Sequence, residues 1–138
     1  MKIHVTRIHI AALIISGLFV SFASLTDQQA MACGCQQPGG PREELQRVDA
    51  VFSGEVSNIN REKIEFKVEK IWKGPRTKRI SVKHGNERSD CTYVFVVGKK
   101  YLVYAYGKKI FSTNVCTRTK ELGKASDDLK ELGEGKEP

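Results

Sequence analysis

Residues 63–70 read KIEFKVEK, and apolar and charged side chains alternate along the whole stretch. Neighbouring residues of a strand point to opposite faces, so the apolar side chains share one face and the charged ones share the other. This pattern predicts an antiparallel strand with one face on the core and one in solvent. The alternation returns in residues 79–84, RISVKH, after a break at residues 73–75, KGP. The two runs therefore predict a β-hairpin.

Other apolar runs extend the β-rich pattern on both sides of this hairpin. Residues 50–56, AVFSGEV, predict a strand in which Gly54 permits a bulge or bend. Residues 93–97 and 100–106 are two more apolar runs, and the second is aromatic and β-branched enough to be a central strand. A last run at residues 110–115 brings the expected number of strands to about five or six.

A short helix is expected at each end of the β-rich region. Residues 41–48 begin with a proline, which suits a first helical turn, and carry acids near the positive end of the helix dipole. Residues 126–132 start with Ser126 as a cap, carry early acids, and precede Gly133 as a stop. This arrangement fits either a partly open Greek-key barrel of the oligonucleotide/oligosaccharide-binding type or a β-sandwich, and strand count does not separate them.

Residues 1–32 have the order of regions found in secretory signals. Lys2 and Arg7 precede an apolar stretch, a polar spacer follows, and Ala30-Met31-Ala32 supplies the small residues that signal peptidase needs. We expect cleavage after Ala32, which leaves a domain over residues 33–132 and a tail over residues 133–138. The expected location is secreted or extracytoplasmic, with no stable membrane span after cleavage.

Two alternatives to cleavage stay open for the N-terminus. The apolar stretch is just long enough for an uncleaved anchor. A lipoprotein with a lipid on Cys33 is disfavoured, because the apolar stretch ends several residues earlier and no leucine stands three positions before this cysteine.

The chain of 138 residues carries a formal net charge of +7. Only Lys2, Arg7 and Asp27 of its Lys, Arg, Asp and Glu residues fall in the expected signal, so the remainder is also basic. Its length supports one domain. In an exported protein the charge points to solubility or to attraction by anionic envelope polymers, and not to nucleic acid. We expect a monomer.

All four cysteines lie beyond the expected cleavage site, at Cys33, Cys35, Cys91 and Cys116. An even number of cysteines in an exported chain predicts a disulfide framework, here of two bridges. More than one pairing is open, although a direct Cys33–Cys35 bridge would close a strained ring. Each of these two residues is then free to tie the N-terminus to a distant strand.

Other chemistry has little support in the sequence. His84 is the one histidine after residue 32, which disfavours a serine or cysteine protease, and the acid pairs at residues 43–44 and 127–128 sit at helix starts, where the dipole explains them. The cysteines lack the C-x₂-C spacing of zinc sites. A redox-active Cys33-Gly34-Cys35 dithiol is a third alternative, but partners for both thiols are available. We expect no enzymatic activity, no cofactor and no intrinsic metal site.

The segment Ala32-Cys33-Gly34-Cys35-x-x-Pro38, followed by residues 49–56, DAVFSGEV, resembles the start of the tissue inhibitors of metalloproteinases. Later blocks of that family are similar to residues 68–74 (VEKIWKG), Cys91, residues 98–105 and residues 116–119 (CTRT). The resemblance implies the inhibitory, netrin-like N-terminal domain only. Its fold would be mainly β, a five-stranded oligonucleotide/oligosaccharide-binding Greek-key barrel with short flanking helices. The implied disulfides are Cys33–Cys91 and Cys35–Cys116.

The resemblance also implies a mechanism. Once residues 1–32 are removed, the free α-amine and the carbonyl oxygen of Cys33 would chelate the catalytic zinc of a target metalloendopeptidase. Gly34 and Cys35 would contact the protease, and Ser89 and Asp90 would extend the contact edge. The rival function is a netrin-like module that binds a cell-envelope or extracellular protein or polysaccharide without inhibiting a protease, and it needs no free Cys33 amine.

Three departures from the family bear on inhibition. The sequence has no cysteines for the family's third bridge and no counterpart of its C-terminal subdomain. Position 34 holds glycine, where animal members usually carry threonine or serine. These differences weaken the expectation of potent inhibition more than the expectation of the fold.

Overall fold

The computed structural model describes residues 33–84 and 91–138. The expected signal peptide and the predicted contacts Ser89 and Asp90 lie outside the described residues. No helix within the described ranges is long and apolar enough to cross a membrane. In chain order the elements are α1 (Pro41–Arg47), β1 (Ala50–Ile59), β2 (Lys63–Lys73), β3 (Arg79–Lys83), β4 (Lys100–Ala105), β5 (Lys120–Glu121), a 3₁₀ turn (Leu122–Lys124) and α2 (Ser126–Leu132).

The five strands form one antiparallel sheet in the order β3-β2-β1-β4-β5. The sheet is covered on both faces at β1 and β4. Phe52, Phe66 and Tyr101 belong to the larger core cluster on one face, while Val51 and Tyr104 pack on the other face with leucines of α1 and α2. Burial on both faces explains why β4 reads as an apolar run, whereas β2 and β3 alternate. The predicted mainly β fold with short flanking helices is confirmed.

Bulges in the β1–β2 ladder curve the sheet. The register shifts at three places along this pair, one of them between Ser53 and Gly54. At Gly54 a Cβ atom would lie 2.6 Å from the carbonyl oxygen of Lys67, so the neighbouring backbone approaches too closely for any side chain. Glycine at this position therefore permits the bulge that its place in the sequence predicts.

Two apolar runs that the sequence predicts to be extended form no strand of the sheet. Residues 92–96 have no regular secondary structure, although Phe95 is buried and Val94 is exposed as in a strand. Residues 110–115 make only isolated bridges, Phe111 with Val82 of β3 and Ser112 with Tyr106 after β4. These bridges connect the β3 edge with the far end of β4, which is consistent with a sheet that curls into an open barrel.

Both helices lie near their expected positions. In α1, Pro41 occupies the first turn with Glu43 and Glu44, as predicted. The predicted cap of α2 is wrong: Ser126 is already the first helical residue, and the position before it is an alanine without a side-chain cap hydrogen bond. Gly133 ends α2 with a positive φ of 71°.

The last residues of the chain are docked on β2. The backbones of Ile71 and Lys136 exchange two hydrogen bonds of 2.8 Å. The indole nitrogen of Trp72 donates to the carbonyl oxygen of Gly133 over 2.9 Å. The expected C-terminal tail thus adds short backbone pairing to the sheet.

Candidate functional site

Two disulfides tie the N-terminal segment, residues 33–40, to the loops that carry Cys91 and Cys116. Cys33 bonds to Cys91 and Cys35 bonds to Cys116, with Cα–Cα distances of 5.5 and 5.2 Å. This is the pairing that the family resemblance implies. Because both thiols of the Cys33-Gly34-Cys35 motif are bonded to distant residues, neither a redox dithiol nor a thiolate zinc site fits the structure.

The motif itself faces solvent. Gly34 and Cys35 are exposed and Cys33 is half-buried. The backbone N–H of Cys35 donates to the carbonyl oxygen of Cys33 over 2.9 Å, which tightens the chain around Gly34. A Cβ atom at Gly34 would meet nothing within 4 Å. The segment is therefore an exposed loop with room for a side chain at position 34.

A buried charge cluster anchors the other end of this segment. Arg118 donates from Nη1 to the carbonyl oxygen of Gly39 over 2.9 Å. It also donates from Nε and Nη2 to the two carboxylate oxygens of Asp128, at 2.8 and 2.9 Å. Lys120 and Tyr104 donate to the same carboxylate at 2.7 and 3.0 Å. The cluster thus links α2, β4 and β5 to the N-terminal segment.

The charge state of this cluster follows from its geometry. Asp128 is 1% exposed. Burial alone would raise its pKa, but hydrogen bonds from Arg118, Lys120 and Tyr104 outweigh burial and lower the pKa to about 2. Burial and the neighbouring Asp128 raise the pKa of Tyr104. Asp128 is therefore ionised, and Tyr104 protonated, across the physiological range.

A cluster of threonine hydroxyls fixes the loop that carries Cys116. The Oγ1 atoms of Thr113, Thr117 and Thr119 lie 2.9 Å from one another. Thr119 Oγ1 accepts from the backbone N–H of Tyr104 in β4 over 3.0 Å. The backbone N–H of Cys116 donates to an Asn114 side chain over 2.9 Å. Cys116 is thereby held in a defined position opposite Cys35.

A cavity of about 210 Å³ lies between the N-terminal segment, α1 and the Cys116 loop. Glu44 lines it and is 2% exposed. Its Oε1 accepts from the hydroxyl of Tyr106 over 2.8 Å. Burial and this hydrogen bond raise the pKa of Tyr106. The cavity therefore has an acid at its wall and a protonated phenol beside it.

Exposed apolar side chains lie in the segments that carry Cys91 and Cys116. Val94 is 77% exposed and Val115 is 44% exposed. The backbone N–H of Val115 donates to the carbonyl oxygen of Cys91 over 3.0 Å, so Val115 lies next to the Cys33–Cys91 bridge. Val115 thus adds exposed apolar surface beside this bridge.

The structure brings together five predicted site residues: Cys33, Gly34, Cys35, Cys91 and Cys116. Sequence reasoning missed the buried acids Glu44 and Asp128, which it assigned to helix dipoles. The sequence contained no signal for them, because Glu44 and Asp128 each stand beside another acid and only the structure shows which of the two is buried.

Two comparisons of this chain with known proteins found no match. No family model matches it, and no curated protein matches it significantly. The function is therefore inferred from the fold and from the cysteine-anchored segment.

Proposed function

We propose that this protein is an exported inhibitor of a zinc metalloendopeptidase, of the class that the tissue inhibitors of metalloproteinases exemplify. The observation that carries the proposal is the Cys33-Gly34-Cys35 motif, in which Gly34 and Cys35 are exposed and which two disulfides tie to the Cys91 and Cys116 loops. Two disulfides also fit an oxidising, extracytoplasmic compartment. Removal of residues 1–32 is part of the proposal, because it creates the free amine on Cys33.

Chelation of the target's zinc by Cys33 is chemically reasonable. A catalytic zinc keeps one coordination position for water or substrate. An α-amine has a pKa of about 8, so a fraction of it is neutral and can coordinate near neutral pH. The carbonyl oxygen of Cys33 accepts one hydrogen bond, from Cys35, and a carbonyl oxygen has a second lone pair for the metal.

Preorganisation favours binding by this segment. The bridges at Cys33 and Cys35, and the Arg118 contact to Gly39, restrict the loop before any partner binds. Less conformational freedom then remains to be lost in the complex. Val115 adds exposed apolar surface beside the Cys33–Cys91 bridge. Ser89 and Asp90, directly before Cys91, are proposed to extend the contact edge.

The test is an inhibition titration of a zinc metalloendopeptidase with protein whose intact mass shows that it begins at Cys33. We expect Gly34→Thr to inhibit more strongly than wild type, by about tenfold to a few hundredfold, because it fills a specificity pocket that glycine leaves empty. The structure offers no steric obstacle to the new side chain. The matched control is Gly123→Thr, where a Cβ atom also meets nothing within 4 Å.

A form that retains Ala32 provides the second control. It should not inhibit, because its Cys33 nitrogen is an amide and cannot coordinate zinc. If wild type, Gly34→Thr and the extended form behave alike, whether inert or equally inhibitory, the chelation mechanism is wrong. The netrin-like binding module would then be the better explanation of the fold.

A further inference from the structure

The segment at residues 93–95 has the side-chain pattern of a strand but no strand beside it. The ring centroids of Tyr93 and Phe95 lie 4.7 Å apart, and both rings pack on Tyr101 of β4, at centroid distances of 6.0 and 4.8 Å. Val94, between them in the chain, is 77% exposed. Two alternate side chains on one face and the middle one on the other are the pattern of an extended chain.

The backbone of this segment is unpaired. The N–H and carbonyl groups of Tyr93, Val94 and Phe95 make no hydrogen bond with residues 33–84 or 91–138. The next residue, Val96, donates its N–H to the hydroxyl of Tyr101 over 3.1 Å. In an extended chain the polar groups of successive residues point to opposite edges. The free groups of Tyr93 and Phe95 therefore point to the edge away from the Tyr101 hydroxyl.

No unpaired charge lies in this segment or directly after it. Residues 92–98, TYVFVVG, contain no charged side chain. The two lysines that follow are ion-paired within the chain, Lys99 with Glu121 and Lys100 with Glu69. Native proteins usually protect an exposed strand edge with charged side chains, as the alternating pattern of β3 does here. The edge beside Val94 lacks this protection and can pair with another chain.

We propose that this edge pairs with the same segment of a second copy of the chain, antiparallel and with the twofold axis at Val94. Tyr93 of each copy then lies opposite Phe95 of the other, and each such pair exchanges two backbone hydrogen bonds. The two Val94 side chains face each other where antiparallel strands approach most closely. A twofold contact uses one surface twice, so an uncharged edge that satisfies its own free groups favours a second copy as the partner.

The resulting dimer is weak. A contact of this length stays below the roughly 1,200 Å² of a stable complex, so we expect a dissociation constant between about 10 μM and 1 mM. The monomer expected from the sequence is then the form at low concentration. Because each copy carries a formal charge of +7, the copies repel each other, and salt screens this repulsion. Dimerisation therefore strengthens from low to moderate ionic strength. It requires no part of the proposed protease inhibition.

Sedimentation equilibrium of the oxidised protein, over concentrations from about 10 μM to 1 mM, tests the proposal. Val94→Lys places two like charges face to face across the axis and should weaken dimerisation by at least about tenfold. The matched control is Ile110→Lys, which changes another apolar side chain that is 71% exposed and lies outside the segment. This control should dimerise like wild type.

A pair of opposite charges tests the register. Val94→Glu alone should also be monomeric, but an equimolar mixture of Val94→Lys and Val94→Glu should dimerise again, because a twofold axis at residue 94 brings the two new charges together. Amide hydrogen exchange of wild type gives a second readout. The Tyr93 and Phe95 amides should exchange more slowly at high than at low protein concentration, whereas the Val94 amide should not change.

The proposal fails if wild type stays monomeric up to about 1 mM at moderate salt, or if Val94→Lys dimerises like wild type. It fails equally if the mixture of the two charged variants stays monomeric, because residue 94 would then not face its counterpart. Loss of the dimer in Ile110→Lys would assign the effect to added charge alone and would also overturn it. If a charged variant does not fold, the amide exchange of wild type decides.

Discussion

Asp128 is a fully buried carboxylate that joins separate parts of the chain. Its oxygens accept from Tyr104 in β4, Lys120 in β5 and Arg118, which also reaches the N-terminal segment. A buried charge with several donors contributes little beyond what its desolvation costs, but removal of one partner leaves the others uncompensated. The cluster therefore fixes geometry more than it adds net stability.

Stability should depend on pH through Asp128 in a specific window. Its pKa is about 2 in the folded protein, below the ordinary value of 3.8. Because the pKa is lower in the folded state, the ionised carboxylate stabilises the fold at pH values above the ordinary pKa. This stabilisation is lost as the pH falls through the folded-state pKa. The loss should be about 2 kcal/mol between about pH 4 and pH 2.

Urea unfolding of wild type and Asp128→Asn across this range measures the effect. The variant should be less stable by about 3–5 kcal/mol at neutral pH, and the gap should narrow by about 2 kcal/mol on acidification. Asp127→Asn changes the exposed neighbour and should follow the wild-type profile. A constant gap between wild type and Asp128→Asn would show that the carboxylate does not titrate as described.

Strand β1 is the element on which the sheet depends. It pairs with both β2 and β4, is buried along most of its length, and carries the bulges that curve the sheet. This packing requires the backbones of β1 and β2 to approach each other closely. At position 54 there is no room for a side chain, because the Lys67 carbonyl oxygen occupies that space.

Gly54→Ala should destabilise the protein by about 1–3 kcal/mol, since the new methyl group forces β1 and β2 apart. Gly123→Ala is the control, with an open environment and no positive φ, and should change stability by less than about 1 kcal/mol. The free energy of unfolding in urea measures both. Equal effects of the two substitutions would mean that the β1–β2 pair adjusts without cost.

The sequence predicts best those strands in which burial produces a clear pattern of apolar residues. The β2–β3 hairpin alternates because one face is buried, and β4 is continuously apolar because both faces are. Strand β5 has only Lys120 and Glu121 and no such pattern, so only its pairing with β4 defines it. Residues 93–96 show the opposite case, with alternating burial but no strand ladder.

The candidate site likewise has one part that the sequence predicts and one part that it does not. The cysteine motif is visible in the sequence, but its pairing came from family resemblance and not from spacing. Glu44 and Asp128 each follow another acid, and the sequence pattern predicts the same helix-dipole role for both members of each pair. Only packing distinguishes the buried acid from its exposed neighbour.

In the whole molecule, long-range links tie both ends of the described domain to distant parts of the chain. The disulfides span 58 and 81 residues. The docked C-terminal residues add backbone pairing on β2 and an ion pair between Lys70 and Glu137. In a domain of this size, covalent links contribute a large share of a stability that is small in total.

Removal of either bridge by paired Cys→Ser substitution should cost up to about 4 kcal/mol, because each loop is long. Cys33→Ser with Cys91→Ser, and Cys35→Ser with Cys116→Ser, should lose similar amounts, since loop entropy varies only with the logarithm of length. Urea unfolding of the two double variants measures this. A loss below about 1 kcal/mol for one pair would show that its loop is already restricted in the unfolded chain.

The close spacing of Cys33 and Cys35 has a consequence for how the protein reaches this structure. In the unfolded chain, crossed bridges would close loops of nearly the same length as the native ones, so chain entropy barely distinguishes right from wrong partners. The choice between native and crossed bridges must therefore depend on folded structure, such as the threonine cluster that positions the Cys116 loop. Thiol–disulfide exchange can correct wrong first bridges, so we expect the native pairing to form best under conditions that permit such exchange.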